Sequence, residues 1–486
     1  MFTTAPLFGK FHCPRLHQAA RPLRQRSLHH LENLLAGRLD PALLAPNPSH
    51  TNSRRRLYPP GLSFLAFLDQ VLNPNASCRE AVRQIRAYYR QDPDAPRLDP
   101  DCSAYCQARA RWSLEELVEI RRALADHTVG PPGLPPPRPQ RPLKVIDGTS
   151  LNLPDTPANR QAYPQSKDQT PECGFPLVRL VALFSLDTGA VLERAWAPYT
   201  TSENALYQQL WPTLQRGDLL LGDRNFGSWG AIAALQQQGV DTLFRLHASR
   251  NHDFRRGLYL RRNERLLLCV KPRNKPANLT APEWADLPER LTLRLVRFRV
   301  PTAHGRSKKI TLLTTLTDPL LWPLEALAAL YARRWNIELY FDDIKTTLHL
   351  EMLSCLSPAM AHKELEMHLI AYNLIRSLMG EAACLCHVPL DRLSFKGTLD
   401  TARQYSHTMA QIPRSHRQLR QAVYADLLAV IAEDLVPERP DRFEPRCRKR
   451  RPKRYPLMTL PRRVLKAAHL DSIPLAKRPP QPASLS

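Results

Sequence analysis

No Cys-x-x-Cys pair occurs in the 486 residues, and the ten cysteines are scattered. The tightest cluster, Cys384-Leu-Cys386-His387, has no second pair at zinc-ligand spacing. Neither a structural zinc nor a disulfide framework is indicated; reduced intracellular thiols are. No uninterrupted apolar run approaches the roughly eighteen residues needed to cross a bilayer. A continuous apolar signal segment is missing from the N-terminus, where Arg21 to Arg26 is basic instead. Secretion and membrane insertion are not expected, and a cytoplasmic, nucleoid-associated protein is. No internal repeat is evident.

Acids are also in deficit. Asp and Glu total 45 against 69 Lys and Arg, a net charge of +24 with a pI near 10.0. Such a surplus binds a polyanion through counterion release, which makes nucleic acid the leading partner and an acidic membrane surface the weaker one.

The length suits several domains. Residues 1–60 form a variable N-terminal segment in which Leu31 to Leu44 has helical character. Residues 61–126 read as a helical DNA-binding domain, with capping boxes at Ser77-Cys-Arg-Glu80 and Ser113-Leu-Glu-Glu116. Arg79, Arg83, Arg86 and Arg90 make one basic stripe there, either a DNA contact or a solvated face. A proline-rich linker spans 127–142. The pattern then turns to strands at 143–146, 175–186 and 190–197, a helix capped by Thr200-Thr-Ser-Glu203, a strand at 218–222, a helix at 229–238 and a strand at 241–246. Three meandering strands followed by alternating helix and strand are the order of a ribonuclease H-like catalytic core, here residues 143–250 and 319–380. Between the two parts, 251–318 reads as a β-rich insertion. C-terminal helices over 381–438 and a basic flexible tail over 439–486, dense at Arg446 to Arg454, complete an α/β chain.

The chemistry concentrates in one helical run, Tyr331 to Lys345. At about 100° per residue, Tyr331, Arg334 and Lys345 lie within roughly 40° of Glu338. Asp147 and Asp223 each follow an apolar strand, in Lys-Val-Ile-Asp147-Gly-Thr and Leu-Leu-Leu-Gly-Asp223-Arg. Carboxylates are hard oxygen ligands, and three of them can clamp two magnesium ions against a phosphodiester. Arg334 and Lys345 suit phosphate oxygens, the first bidentately and the second as a movable charge. The residues admit plainer roles too: Asp147 as a turn former, Glu338 as a surface acid paired with Arg334, Tyr331 as a core ring beside Trp335.

Tyr331, Arg334, Glu338 and Lys345 match, without departure, the tyrosine-arginine-glutamate-lysine signature of the IS4 family of bacterial DDE transposases, which the chain resembles from about Leu62 to Met379. Asp147-Gly-Thr and Gly-Asp223-Arg are similar to its two aspartate motifs, and Tyr163, Gly174-Phe-Pro and Arg179-Leu-Val-Ala-Leu-Phe-Ser to its text around the second strand. The resemblance implies cut-and-paste transposition of an insertion sequence: nicking, a DNA hairpin, its resolution and strand transfer into target DNA. It also implies two Mg2+ or Mn2+ ions on Asp147, Asp223 and Glu338, phosphate binding by Tyr331, Arg334 and Lys345, double-stranded DNA with terminal inverted repeats as partner, and a homodimer in the end complex. A base-stacking aromatic would come from the insertion, with Trp284 the leading candidate and Phe298 behind it. Two other readings use the same residues: a metal-dependent nuclease without joining activity, and an inactive DNA-binding remnant.

Overall fold

Leu219, Leu220 and Leu221 are all fully buried, which requires a strand covered on both faces. In the computed structural model of the chain that strand lies inside a nine-stranded sheet. The described residues are 31, 34–45, 57–73, 76–89, 98–128, 141–247, 254, 257–301, 307–413, 415–437 and 457–472. The proline-rich stretch after residue 128 and the dense basic cluster at 446–454 lie outside them, as does Arg90.

Four helices come first: α1 (Pro60–Leu72), α2 (Cys78–Tyr89), α3 (Ser103–Ala110) and α4 (Leu114–Asp126). Both halves of the capping box form at Ser113 and Glu116, whereas at Ser77 only the hydroxyl-to-Glu80 amide bond is present. The sheet follows with β1 (Leu143–Asn152), helix α5 (Pro157–Ala162), β2 (Leu177–Ser185), β3 (Val191–Pro198), α6 (Glu203–Leu210), β4 (Leu219–Gly222), α7 (Trp229–Gln237) and β5 (Asp241–Arg245). Elements after residue 250 are β6 (Leu258–Arg261), β7 (Glu264–Val270), α8 (Ala281–Asp286), β8 (Arg290–Pro301) and β9 (Ser307–Thr314). Strand order is β3-β2-β1-β4-β5-β9-β8-β7-β6, with β1, β4 and β5 parallel. The turn between β2 and β3 needs Gly189: its φ is +73°, and a Cβ there would meet the Arg376 guanidinium at 2.3 Å.

The stretch expected as an insertion therefore joins the sheet itself. β9 pairs antiparallel with β5 through Leu243, Phe244 and Arg245, and β8, β7 and β6 continue outward. Sequence order hides this, because β9 lies some sixty residues beyond β5 and fills its free edge only in three dimensions.

Each sheet face has its own core. Val145, Leu219, Leu221 and Leu243 point to one side, with α1, α4 and a long helix α11 (Pro358–Cys386); Ile146, Leu220 and Phe244 point to the other, under α6 and α7. By length and composition α11 could cross a membrane, yet 78% of its most apolar window is buried in the protein. Its polar residues explain why: Asn373 bonds both the amide and the carbonyl of Val191, and Glu366 meets Arg121 at 2.9 Å. Arg121 and Glu366 are fully buried, and Arg194 of β3 closes on the second oxygen of Glu366. The expected helix over Leu31 to Leu44 is interrupted at Gly37, where φ is +79°. Helices α12 (Phe395–Gln411), α13 (Arg417–Glu433) and α14 (Arg462–Ser472) complete the described chain.

Candidate active site

Ile146 is the partner of Gly222 in the parallel β1–β4 register. The next residues, Asp147 and Asp223, thus emerge side by side, with neighbouring strands roughly 5 Å apart. The glycine before Asp223 is obligatory: a Cβ on Gly222 would stand 2.8 Å from the Phe244 ring and 3.1 Å from Ile146. Burial pushes the Asp147 carboxyl up to about 6, with Asp223 and Glu203 adding to the rise while the Gly148 amide and Arg334 oppose it.

The run from Tyr331 is not one continuous α-helix. Helix α9 (Leu324–Arg333) ends in two i to i−3 bonds, Arg334 N–H to Tyr331 O at 3.1 Å and Trp335 N–H to Ala332 O at 3.2 Å. Helix α10 (Asn336–Asp342) restarts the chain and gives way to a π-helical turn, Asp343–Thr347. The single 3.6-residue face expected for the four signature residues is thereby corrected: one tightened turn and one widened turn reset their angles. Tertiary contacts keep the group together nonetheless. Arg334 reaches Asp147 Oδ2 at 3.5 Å and Glu338 Oε1 at 3.8 Å, and Lys345 Nζ donates to Thr149 Oγ1 at 3.3 Å.

Tyr331 is 3% exposed, and its hydroxyl has no hydrogen-bond partner. Burial raises the phenol to about 12; Arg334 and Arg245 pull against that rise and Asp223 adds to it. The guanidinium of Arg334 lies 5.7 Å from the ring centroid, and its own Nε has no hydrogen-bond partner. Buried donors without acceptors cost roughly 1–3 kcal/mol each, and an acceptor brought from outside would satisfy these two. The core role for Tyr331 is half right: the ring packs, but the hydroxyl stands free.

Asp147, Asp223 and Glu338 are oxygen donors of the kind that hold a hard divalent cation. Among the described residues no three His, Cys, Asp or Glu side chains are gathered closely enough to grip one. Arg334 bridges Asp147 and Glu338 instead, and the Glu338 side chain, 49% exposed, has room to turn inward.

Trp284 is not brought to this group. It meets Trp229 edge-on at 5.6 Å and lies under Lys271 Nζ at 5.3 Å, in the packing of α8 on α7. Phe298 is partly buried against the opposite core. Two residues that sequence reasoning passes over bear on the site through their charge: Arg245, at the end of β5, on Tyr331, and Glu203, at the start of α6, on Asp147. A charge at a strand end beside β4 is the only signal for Arg245, and Glu203 has none beyond its serine cap.

A family profile described as Transposase DDE domain matches residues 138–374, which contain Asp147, Asp223 and Glu338. The chain is 27% identical over 323 residues to the transposase InsG of insertion sequence element IS4 of Escherichia coli K12, covering 65% of this chain and 69% of that one. It belongs to the DDE-type transposases related to IS4 elements. A putative transposase InsZ of the same organism is 32% identical over 110 residues, 22% of this chain and 37% of its own length. Among solved structures, a piggyBac transposase synaptic complex with hairpin DNA aligns over 89% of this chain and 87% of that one, at 10% identity and a TM-score of 0.40. For this DDE-type chain, family membership carries the general activity, DNA cleavage and recombination, and the family's use of divalent metal ions.

Proposed function

We propose that the chain is the transposase of an insertion sequence, a homodimer at paired DNA ends that cleaves terminal inverted repeats through a hairpin and joins the freed 3′ ends to target DNA. The sheet, with parallel β1, β4 and β5 flanked by the β2–β3 meander, serves in this reading as a ribonuclease H-like core. One observation carries most weight: Asp147, in mid-β1, and Asp223, just past the end of β4, follow register partners on adjacent strands, and Arg334 ties Glu338 to Asp147. Two Mg2+ ions, or Mn2+, on these carboxylates would supply an activated oxygen nucleophile and neutralise the departing 3′ oxygen.

The chain's own groups do the rest. Tyr331 donates its free hydroxyl to a phosphate oxygen, Arg334 turns its guanidinium from the acids to the same phosphate, and Lys345, anchored on Thr149, holds the flanking one. Basic residues of α2, Arg79, Arg83 and Arg86, grip the duplex outside the site. Stacking by Trp284 would require α8 to surrender its contact with Trp229, and it forms no part of this reading.

The test is purified wild type and Asp223→Ala with terminal-repeat DNA, target plasmid and Mg2+, products resolved on a denaturing gel. Nicked, hairpin and joined DNA are expected from wild type alone. Hydrolysis without joining would make the protein a nuclease, and equal products from both proteins would remove Asp223 from the reaction.

A further inference from the structure

The profile match begins at residue 138, yet one side chain from the helical domain before it enters the catalytic part. Arg109, on the last turn of α3, is 9% exposed. Its guanidinium lies 4.5 Å from the Phe67 ring centroid, Nη1 donates to Gln70 Oε1 at 3.3 Å and Nη2 to the Cys355 sulfur at 3.6 Å, while Nε has no hydrogen-bond partner. Among the described residues no carboxylate pairs with it. Burial pushes the Cys355 thiol up, so this acceptor stays a neutral sulfur. A ring face, an amide oxygen and a thiol offset little of the cost of taking a cation out of water. The use of Arg109 lies in what it holds.

Cys355 belongs to residues 348–357, the return between the π-helical turn and α11. Leu350 N–H donates to Ile344 O at 3.2 Å, which fastens the start of this return to the turn that carries Lys345. Leu353 N–H donates to Asn152 O at 3.0 Å and Asn152 N–H to Glu351 O at 3.1 Å, which fasten its middle to the end of β1. Lys345 itself donates to Thr149 on that strand. Turn, return and strand thus close a frame around the Lys345 contact. Among the described residues, three side chains hold the frame at Cys355. Glu364 accepts from the Cys355 amide at 2.8 Å, Asn159 donates to Cys355 O at 3.4 Å, and Arg109 donates to the sulfur. Of the three, only Arg109 lies outside the profile match, and Lys363 Nζ, donating to Ala110 O at 2.7 Å, seats the end of α3 beside it.

We propose that Arg109 is a positioning residue for DNA cleavage: from the helical domain it fixes residues 348–357, and through them the seat of Lys345 on β1. The inference rests on the reading of Lys345 as a phosphate holder.

Hydrogen exchange in the full chain, without DNA or metal, tests the holding apart from that reading. Arg109→Met keeps an unbranched side chain over Phe67 and removes the charge. In this variant the Leu350 and Leu353 amides should exchange about tenfold faster than in wild type, with melting no lower. Exchange at the wild-type rate would overturn the inference and leave the role of Lys345 standing. With terminal-repeat DNA and Mg2+, single-turnover cleavage should slow about tenfold in Arg109→Met at unchanged DNA affinity. Arg109→Lys, which keeps a donor for Cys355, should recover most of that rate. The double variant with Lys345→Met should cut no slower than Lys345→Met alone, because the effect of Arg109 passes through that lysine. Wild-type cutting by Arg109→Met, slowing that multiplies in the double variant, or a joint loss of melting temperature and DNA affinity would each overturn the inference. Absence of cutting by wild type would remove the cleavage reading and the inference together.

Discussion

At the scale of single residues, Asp147 couples the site to folding. Its carboxyl sits at about 6 in the folded chain against an ordinary value of 3.8, so between those pH values the folded state holds the extra proton. Stability without divalent metal should therefore fall as pH rises from about 4 through 6 and then level off. Asp147→Asn should flatten that slope and raise stability at pH 7.5 by about 1–2 kcal/mol, with little change at pH 4. Melting temperatures in EDTA across the range check this; a variant that melts with the wild-type pH profile would contradict it. Asp147 and Asp223 were legible in the sequence because each directly follows an apolar run, but the strand end expected at Asp147 is not there: β1 runs on to Asn152, and only Asp223 stands at the end of its strand. Glu203 and Arg245 were not, since nothing local says which strand a helix start will lie against or which cation a phenol will sense.

Among the elements, α11 is held by charges as well as by apolar packing. Glu366 accepts from Arg121 of α4 and from Arg194 of β3, all three nearly or wholly out of solvent. Removing Glu366 leaves Arg194 without this partner and Arg121 with Glu193 as its remaining carboxylate, and breaking a buried pair costs up to about 3–5 kcal/mol. Glu366→Ala should accordingly melt far lower than wild type or fail to accumulate, as read by thermal unfolding and soluble yield. The elements themselves were readable from periodicity and caps, strand by strand from β1 to β5. The signature run was readable as helix but not as α9, a tightened turn, α10 and a π turn. Those irregularities follow from the demand that Arg334 reach β1 while Ile337, Tyr340 and Phe341 remain in the core, a demand set by tertiary contacts.

Over the whole molecule, sheet order is the feature sequence spacing conceals. A chain deleted of residues 251–318 would leave β5 as a bare edge, with Leu243 and Phe244 paired on one side only. Expression of that deletion, with a short linker in place, should give insoluble protein; a soluble, cooperatively melting product would mean that β6 to β9 are dispensable to the core. The surplus of positive charge acts at this scale too, since it favours any DNA over none and leaves discrimination to the site.

The long helix α11 has a bearing on how the molecule comes to be made. The partners of Glu366 and Asn373, namely Arg121, Val191 and Arg194, lie earlier in the chain. A ribosome therefore delivers this greasy segment after the sheet and α4, onto a surface already able to receive one side of it, with α12 and α13 following to cover the rest. Reversing that order, by circular permutation that places α11 first, would release the segment with nothing to cover it and invite chaperones or the lipid bilayer to take the place of the sheet.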